Sequence, residues 1–200
     1  MAVALAALTA LSQTVMPAGW YTDGRPMPSL HLLIPRSRIQ GRVRALAARL
    51  SRDYRGQSPL YLAVLKGAYI FLADLTRRLD EPPEVDFVQL STYGLRGTAG
   101  GRVRIRLHPS ADLAGRHVVV VEDIIDSGRT LRYLLDYIDR RQPASLRVCA
   151  LLARRSVLDE LPRPIDYLGL TVGDGWLVGY GLDRGEQYRT LPDVYVIEGE

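Results

Sequence analysis

Three carboxylates stand beside a turn built to hold an anion: Glu122, Asp123 and Asp126 lead into Ser127-Gly128-Arg129-Thr130. The two halves of this stretch ask for different things. If the turn opens a helix, its unpaired backbone N–H groups and partial positive charge suit a phosphate. Ser127 and Thr130 add hydroxyl donors, Arg129 adds charge, and Gly128 lets the backbone come close. The acids would repel a phosphate. They fit a ligand with a second part, either sugar hydroxyls that donate hydrogen bonds or a bound divalent cation. A phosphorylated sugar meets both demands.

The flanking residues say how these groups are positioned. Val118–Val121 is four valines in a row, the pattern of a strand buried on both faces. Leu131, Leu134, Leu135 and Ile138 recur at the spacing of one helical stripe. The stretch therefore reads as a strand, a polar loop holding the acids, and a helix N-terminus. No Gly-x-x-x-x-Gly-Lys occurs, so it is not a P-loop of the Walker type.

Composition narrows the function classes. Two hundred residues with 47% hydrophobic content suit one domain with a substantial core. The net charge of +4 favours anionic small substrates and gives no case for nucleic acid. Lys66 is the only lysine. Cys149 lies in an apolar run and reads as a core thiol, and His31, His108 and His117 are scattered and assigned no catalysis. No stretch is apolar enough for a membrane span. Met1–Leu11 lacks the basic start of a signal peptide, so a cytoplasmic location is expected.

Read in order, residues 1–28 look like a poorly ordered extension and 29–200 like a single domain. Ser37 and Gln40 fit a capping box for a helix carrying Ile39, Val43, Leu46 and Leu50. Leu60–Leu65 is a buried strand, Lys66-Gly67-Ala68 a tight loop, and Phe71, Leu72, Leu75 and Leu79 one face of a helix. Val85–Leu90 is a strand leading into Ser91-Thr92-Tyr93-Gly94 and a glycine-rich stretch that suits a lid. Val103, Ile105 and Leu107 alternate with arginines, the return strand of a flap hairpin. Further strands are expected at Leu146–Leu152, Ile165–Leu170, Trp176–Val178 and Asp193–Ile197. Strand–helix alternation predicts an α/β fold with a doubly wound, mainly parallel sheet, plus a small hood from the chain-terminal segments. Every candidate then falls at a strand's carboxyl end, where such sheets bind ligands.

With those residues in view, Val118–Leu131 resembles the phosphoribosyl-pyrophosphate motif of type I phosphoribosyltransferases. Its Glu-Asp-Ile-Ile-Asp form resembles the hypoxanthine-guanine enzymes in particular. The resemblance runs over roughly residues 30–198. It implies a purine salvage transferase that joins a 6-oxopurine to phosphoribosyl pyrophosphate with Mg2+, and a homodimer or homotetramer. On this resemblance Asp126 is the general base for the purine N7 proton. Glu122 and Asp123 hold ribose hydroxyls and the magnesium shell, and Asp126–Thr130 (Ser127, Gly128, Arg129 and Thr130 included) cradles the 5′-phosphate. Lys66 and Gly67 match the pyrophosphate loop, a lysine with free amides beside a glycine. Ser91, Thr92 and Tyr93 match the start of the lid. Trp176 matches the aromatic that stacks on the purine, Leu177 the residue whose backbone reads its edge, Asp183 a metal ligand, and Arg189 the arginine on pyrophosphate. Arg154 stands where the family has a lysine that donates to the purine 6-oxo group, and arginine is not an equivalent replacement. Two other readings remain open: a regulatory protein that binds phosphoribosyl pyrophosphate, and a transferase for another nucleobase.

Overall fold

Four valines at Val118–Val121 and the Leu60–Leu65 run have no polar face, and both are central strands covered on each side. A computed structural model describes residues 28–93 and 102–198. The expectations for the N-terminal extension up to residue 27 and for the glycine-rich stretch at 94–101 lie outside these residues. In chain order the elements are β1 (Leu30–Ile34), α1 (Arg36–Asp53), β2 (Leu60–Leu65), α2 (Tyr69–Thr76), β3 (Glu84–Tyr93), β4 (Arg102–Leu107) and β5 (His117–Ile125). There follow α3 (Arg129–Asp139), β6 (Ser145–Arg154), a 3-10 turn (Arg155–Glu160), β7 (Tyr167–Val172), β8 (Trp176–Val178) and β9 (Val194–Ile197).

The main sheet has the order β4-β3-β2-β5-β6-β7, parallel throughout except for β4, which pairs antiparallel with β3 as the flap hairpin. The two-residue period of a strand sorts its core. Tyr61, Ala63, Val119 and Val121 face α1 and α2. Leu60, Leu62, Val118 and Val120 face the other way, onto Leu131, Leu134, Leu135 and Ile138 of α3. β2 feeds a strand on one side of the sheet and β5 feeds one on the other, so the gap between them is the switch point where the loops diverge. Both sequence-predicted loops, after β2 and after β5, open into that gap.

A second sheet, β1-β9-β8, forms the hood. As expected, it joins the ends of the described chain: Leu30 pairs with Ile197, and Trp176 also pairs with Ile197. Strand β1 itself had no clear sequence signal, because Leu32 and Leu33 are both exposed. A polar knot helps fasten the hood to the helical layer. Tyr180 Oη donates to Asp74 Oδ2 (2.6 Å), which also accepts from Gln40 Nε2 (2.7 Å). Burial opposes the charge on Asp74, but hydrogen bonds from Tyr180, Gln40 and Arg77 outweigh it and hold the carboxyl below its ordinary range.

Three local expectations are corrected. Helix α1 begins at Arg36 after Pro35, with no side-chain cap from Ser37. Its first turn is held instead by Asp193 Oδ1, which accepts from the Arg36 backbone N–H (2.6 Å), and Gln40 is engaged with Asp74. The polar loop after Val121 is in fact strand: β5 continues to Ile125, because Glu122, Ile124 and Ile125 keep their register with Ala150, Leu152 and Ala153 of β6. Helix α2 stops at Thr76, so Leu79 packs on the core from beyond its end. Among the described residues no helix is long and apolar enough to cross a membrane. Leu134 is wholly buried in the α3 face. Leu134→Ala should cost about 2–5 kcal/mol of stability, read as a lower urea midpoint at unchanged slope.

Candidate functional site

Because β5 carries on through the carboxylates, its alternation turns Glu122 and Asp123 to opposite sides of the strand. Two adjoining recesses result. A cleft of about 500 Å³ is lined by Lys66, Gly67, Asp123, Trp176, Asp183 and Arg189, among others. A recess of about 290 Å³ is lined by Glu122, Ser127, Gly128 and Thr130. Ile124 and Asp126 belong to both. The sequence-predicted residues are thus brought together, except for Arg129 and Ser91, which line neither; Ser91, Thr92 and Tyr93 end β3.

The smaller recess is the tip of α3. Gly128 is the N-cap residue, in the left-handed region at φ +68°, and it has no side chain to cap the helix, so the backbone at the helix tip faces this recess. Glu122 is buried. Burial, and next its neighbour Asp123, push the Glu122 carboxyl well above its ordinary range.

The floor of the larger cleft is a tight stack. The Leu65–Lys66 peptide is cis, and the chain then passes Gly67 directly over Asp123. A Cβ on Gly67 would lie 1.7 Å from Asp123 Oδ2. On the other side, Gly181 of the hood has φ +103°, and a Cβ there would lie 2.1 Å from the Gly67 carbonyl oxygen. Glycine is required at both positions by close approach. Burial pushes the Asp123 carboxyl up to about 6, against the pull of the Ile124 and Asp123 backbone N–H groups and of Arg189. Asp183 adds to the upward push.

The cations of the cleft are held by hood acids. Arg189 Nη2 pairs with Asp183 Oδ1 (2.9 Å) and Glu186 Oε2 (3.1 Å), and its Nη1 donates to the Gly181 carbonyl (2.9 Å). Its Nε is buried with no hydrogen-bond partner. Lys66 Nζ pairs with Glu186 Oε1 (3.1 Å). Glu186 was missed by sequence reading. Its one signal was a position three residues before Arg189 in a glycine turn, which is too common to single it out.

At the far wall Arg154 ties three pieces together. Its Nε donates to Asp126 Oδ1 (2.7 Å), its Nη2 to the Gly175 carbonyl (2.6 Å) and its Nη1 to the Gly173 carbonyl. Asp126 is therefore exposed to the cleft yet fixed in orientation. The turn that carries Trp176 is fixed by the same guanidinium. Trp176 is half exposed, with its indole N–H donating to the Asp183 carbonyl (3.1 Å). That bond sets the ring plane and leaves a flat aromatic surface in the cleft. Leu177 beside it is buried.

The likeness to known proteins agrees with this geometry. A family model described as the phosphoribosyl transferase domain matches residues 36–184. The chain is 38% identical over 170 residues to the hypoxanthine-guanine phosphoribosyltransferase of Aquifex aeolicus, covering 84% of this chain and 95% of that protein. It is 41% identical over 172 residues to the bifunctional protein TilS/HprT of Listeria innocua, covering 84% of this chain. There it spans only 26% of the relative's length. A crystal structure of a hypoxanthine-guanine phosphoribosyltransferase from Bacillus anthracis superposes with a TM-score of 0.79 at 34% identity, covering 86% of this chain and 99% of that one.

The glycine stack gives a direct check. Gly67→Ala should keep the wild-type circular dichroism spectrum but bind inorganic pyrophosphate about tenfold or more weakly by calorimetry, because the loop must lift off Asp123.

Proposed function

The chain belongs to the hypoxanthine-guanine phosphoribosyltransferases, and from that premise we propose that it joins hypoxanthine or guanine to the ribose of phosphoribosyl pyrophosphate. The products are IMP or GMP and pyrophosphate. The observation that carries this reading is the shared cleft: one aromatic platform, one carboxylate oriented by Arg154, and the cations Lys66 and Arg189 open on the same space. A helix N-terminus adjoins it. The 5′-phosphate sits on Ser127, Gly128, Arg129 and Thr130, the diphosphate against Lys66, Gly67 and Arg189, and the purine on Trp176 with its edge at Leu177.

Asp126 takes the N7 proton of the purine or, while still ionised, offers negative charge to the cationic sugar that develops as the bond to diphosphate breaks. Arg154 keeps it aimed. Arginine carries five N–H donors, and three are engaged here. One N–H on each Nη is left to reach the 6-oxo oxygen. Much of the acceleration comes from holding both substrates in line. Ser91, Thr92 and Tyr93, at the end of β3, belong to the lid that keeps water from the reactive sugar.

The donor set fits Mg2+. Asp123 and Asp183 line the same cleft and offer only oxygen, whereas Glu122 faces the other recess; among the described residues no cluster of three or more His, Cys, Asp or Glu forms a ready-made cage. Magnesium favours such sites, where one or two carboxylates share it with substrate phosphates and water. Two carboxyls pushed upward by burial also gain from a neighbouring cation. When bound, magnesium neutralises the diphosphate leaving group. The remaining parts of the reading are that residues 29–200 act as one domain, that the protein is cytoplasmic, and that it is a homodimer or homotetramer.

Arg154 in place of lysine also supports a second reading, a different preference among xanthine and other nucleobases. The deciding experiment is a panel of free bases incubated with phosphoribosyl pyrophosphate and magnesium, scored by nucleotide formed. Hypoxanthine or guanine should lead; a pyrimidine leading would refute the reading. Asp126→Asn should lower kcat about 100-fold or more while phosphoribosyl pyrophosphate binding stays near wild type. Unchanged turnover would remove Asp126 as the base.

A further inference from the structure

The two cations that the reading above gives to the diphosphate are already bridged by one side chain. Glu186 puts Oε1 on Lys66 Nζ and Oε2 on Arg189 Nη2, each at 3.1 Å. We propose that Glu186 is a built-in counter-anion for the diphosphate subsite: a diphosphate must displace its carboxylate to reach Lys66 and Arg189, and the carboxylate closes behind the product to speed its release. The proposal deepens the assignment of this cleft and rests on it.

The backbone beneath Glu186 supports a purpose beyond turn formation. Arg184 and Gln187 form an isolated bridge, closed by Arg184 N–H to the Gln187 carbonyl (3.3 Å) and Gln187 N–H to the Arg184 carbonyl (3.2 Å). The two residues between them, Gly185 and Glu186, have φ +60° and +69°. A two-residue turn with both central residues at positive φ favours glycine or asparagine, above all glycine in the second place. Here the second place holds a glutamate, a residue that gains nothing from the left-handed region. The surrounding structure fixes it there: its backbone N–H donates to Asp183 Oδ2 (2.8 Å). A turn closed at that point sends the long side chain across the mouth of the cleft.

The pairing is also of the right strength to exchange. The Glu186 side chain is 62% exposed and Lys66 53%, so that ion pair is largely solvated and weak, while Arg189 is mostly buried and its pair with Glu186 is open to solvent on the glutamate side. The two Glu186 oxygens each face a cation, which suits a carboxylate. A diphosphate, with more charge and more oxygens, can outcompete one carboxylate. A single carboxylate is still enough to oppose tight retention of a small anion.

The test is calorimetry of inorganic pyrophosphate with magnesium on the full chain. It compares the wild type with Glu186→Gln, Glu186→Gly and Lys66→Met, and adds a stopped-flow chase for dissociation. Both Glu186 variants should bind pyrophosphate about three- to tenfold more tightly and release it correspondingly more slowly. Equal or weaker binding by Glu186→Gln overturns the proposal. So does tightening confined to Glu186→Gly, which would trace the effect to the relaxed turn rather than to the missing charge. Should Lys66→Met bind pyrophosphate as well as wild type, the assignment of the diphosphate to this cleft falls, and the proposal with it.

Discussion

The site depends on a contact with no room in it. Gly181 of the hood rests on the carbonyl of Gly67, and Gly67 rests on the carboxylate of Asp123. Three segments distant in sequence meet there at backbone distance: the turn between β8 and β9, the loop after β2, and the end of β5. A side chain at Gly181 would push the hood off the loop, and one at Gly67 would lift the loop off Asp123. The Tyr180–Asp74 bond clamps the same stack from the outside, one residue from Gly181. Hood and sheet therefore form one rigid mouth, and the groups on each are held at fixed distances from the other.

That closeness sets the electrostatics. Asp123 and Glu122 end a strand with little water about them, and burial raises both carboxyls. The cations that could relieve them are on the opposite wall, and there Arg189 is already paired with Asp183 and Glu186. The cleft is a set of charges in near balance, each with a protein partner. On the proposed reading, a substrate carrying both phosphates and hydroxyls would exchange these partners one for another rather than fill a surface of one sign. Arg154 plays the corresponding part at the base end, where one guanidinium links Asp126 to the turn before Trp176.

What could be read from the sequence was what depended on local periodicity. The apolar runs at Leu60–Leu65 and Val118–Val121 signalled strands covered on both faces, and the Leu131–Ile138 stripe signalled a helix with one buried side. The loops between them followed, and with them most of the residues that line the cleft. Long-range partners could not be read. The capping box at Ser37 failed because Asp193, far along the chain, supplies the acceptor instead. The end of β5 reads as a loop in sequence because Glu122 and Asp123 are poor strand residues, and pairing with β6 keeps it extended. Strand β1 was invisible because its partner is β9. For the site, Arg154 was legible by position but not by its bonds. Glu186 was legible by neither, since nothing in Gly185-Glu186 announces two cations nearby.

The hood is stitched from the two ends of the described chain, with Glu198 N–H donating to the Ser29 carbonyl (3.0 Å) beyond the last strand pair. Bringing such remote segments together closes the largest loop in the molecule and carries the highest entropic toll. The sheet beneath has its own crossovers and, on the α3 face, a core that includes no hood residue. The hood is therefore the natural first unit to detach when the molecule is warmed or pulled. Trp176, Asp183, Glu186 and Arg189 would leave with it, while the Ser127–Thr130 tip stayed folded on α3. Partial unfolding would then uncouple the two anion grips, and catalytic competence would vanish well before the parallel sheet melted.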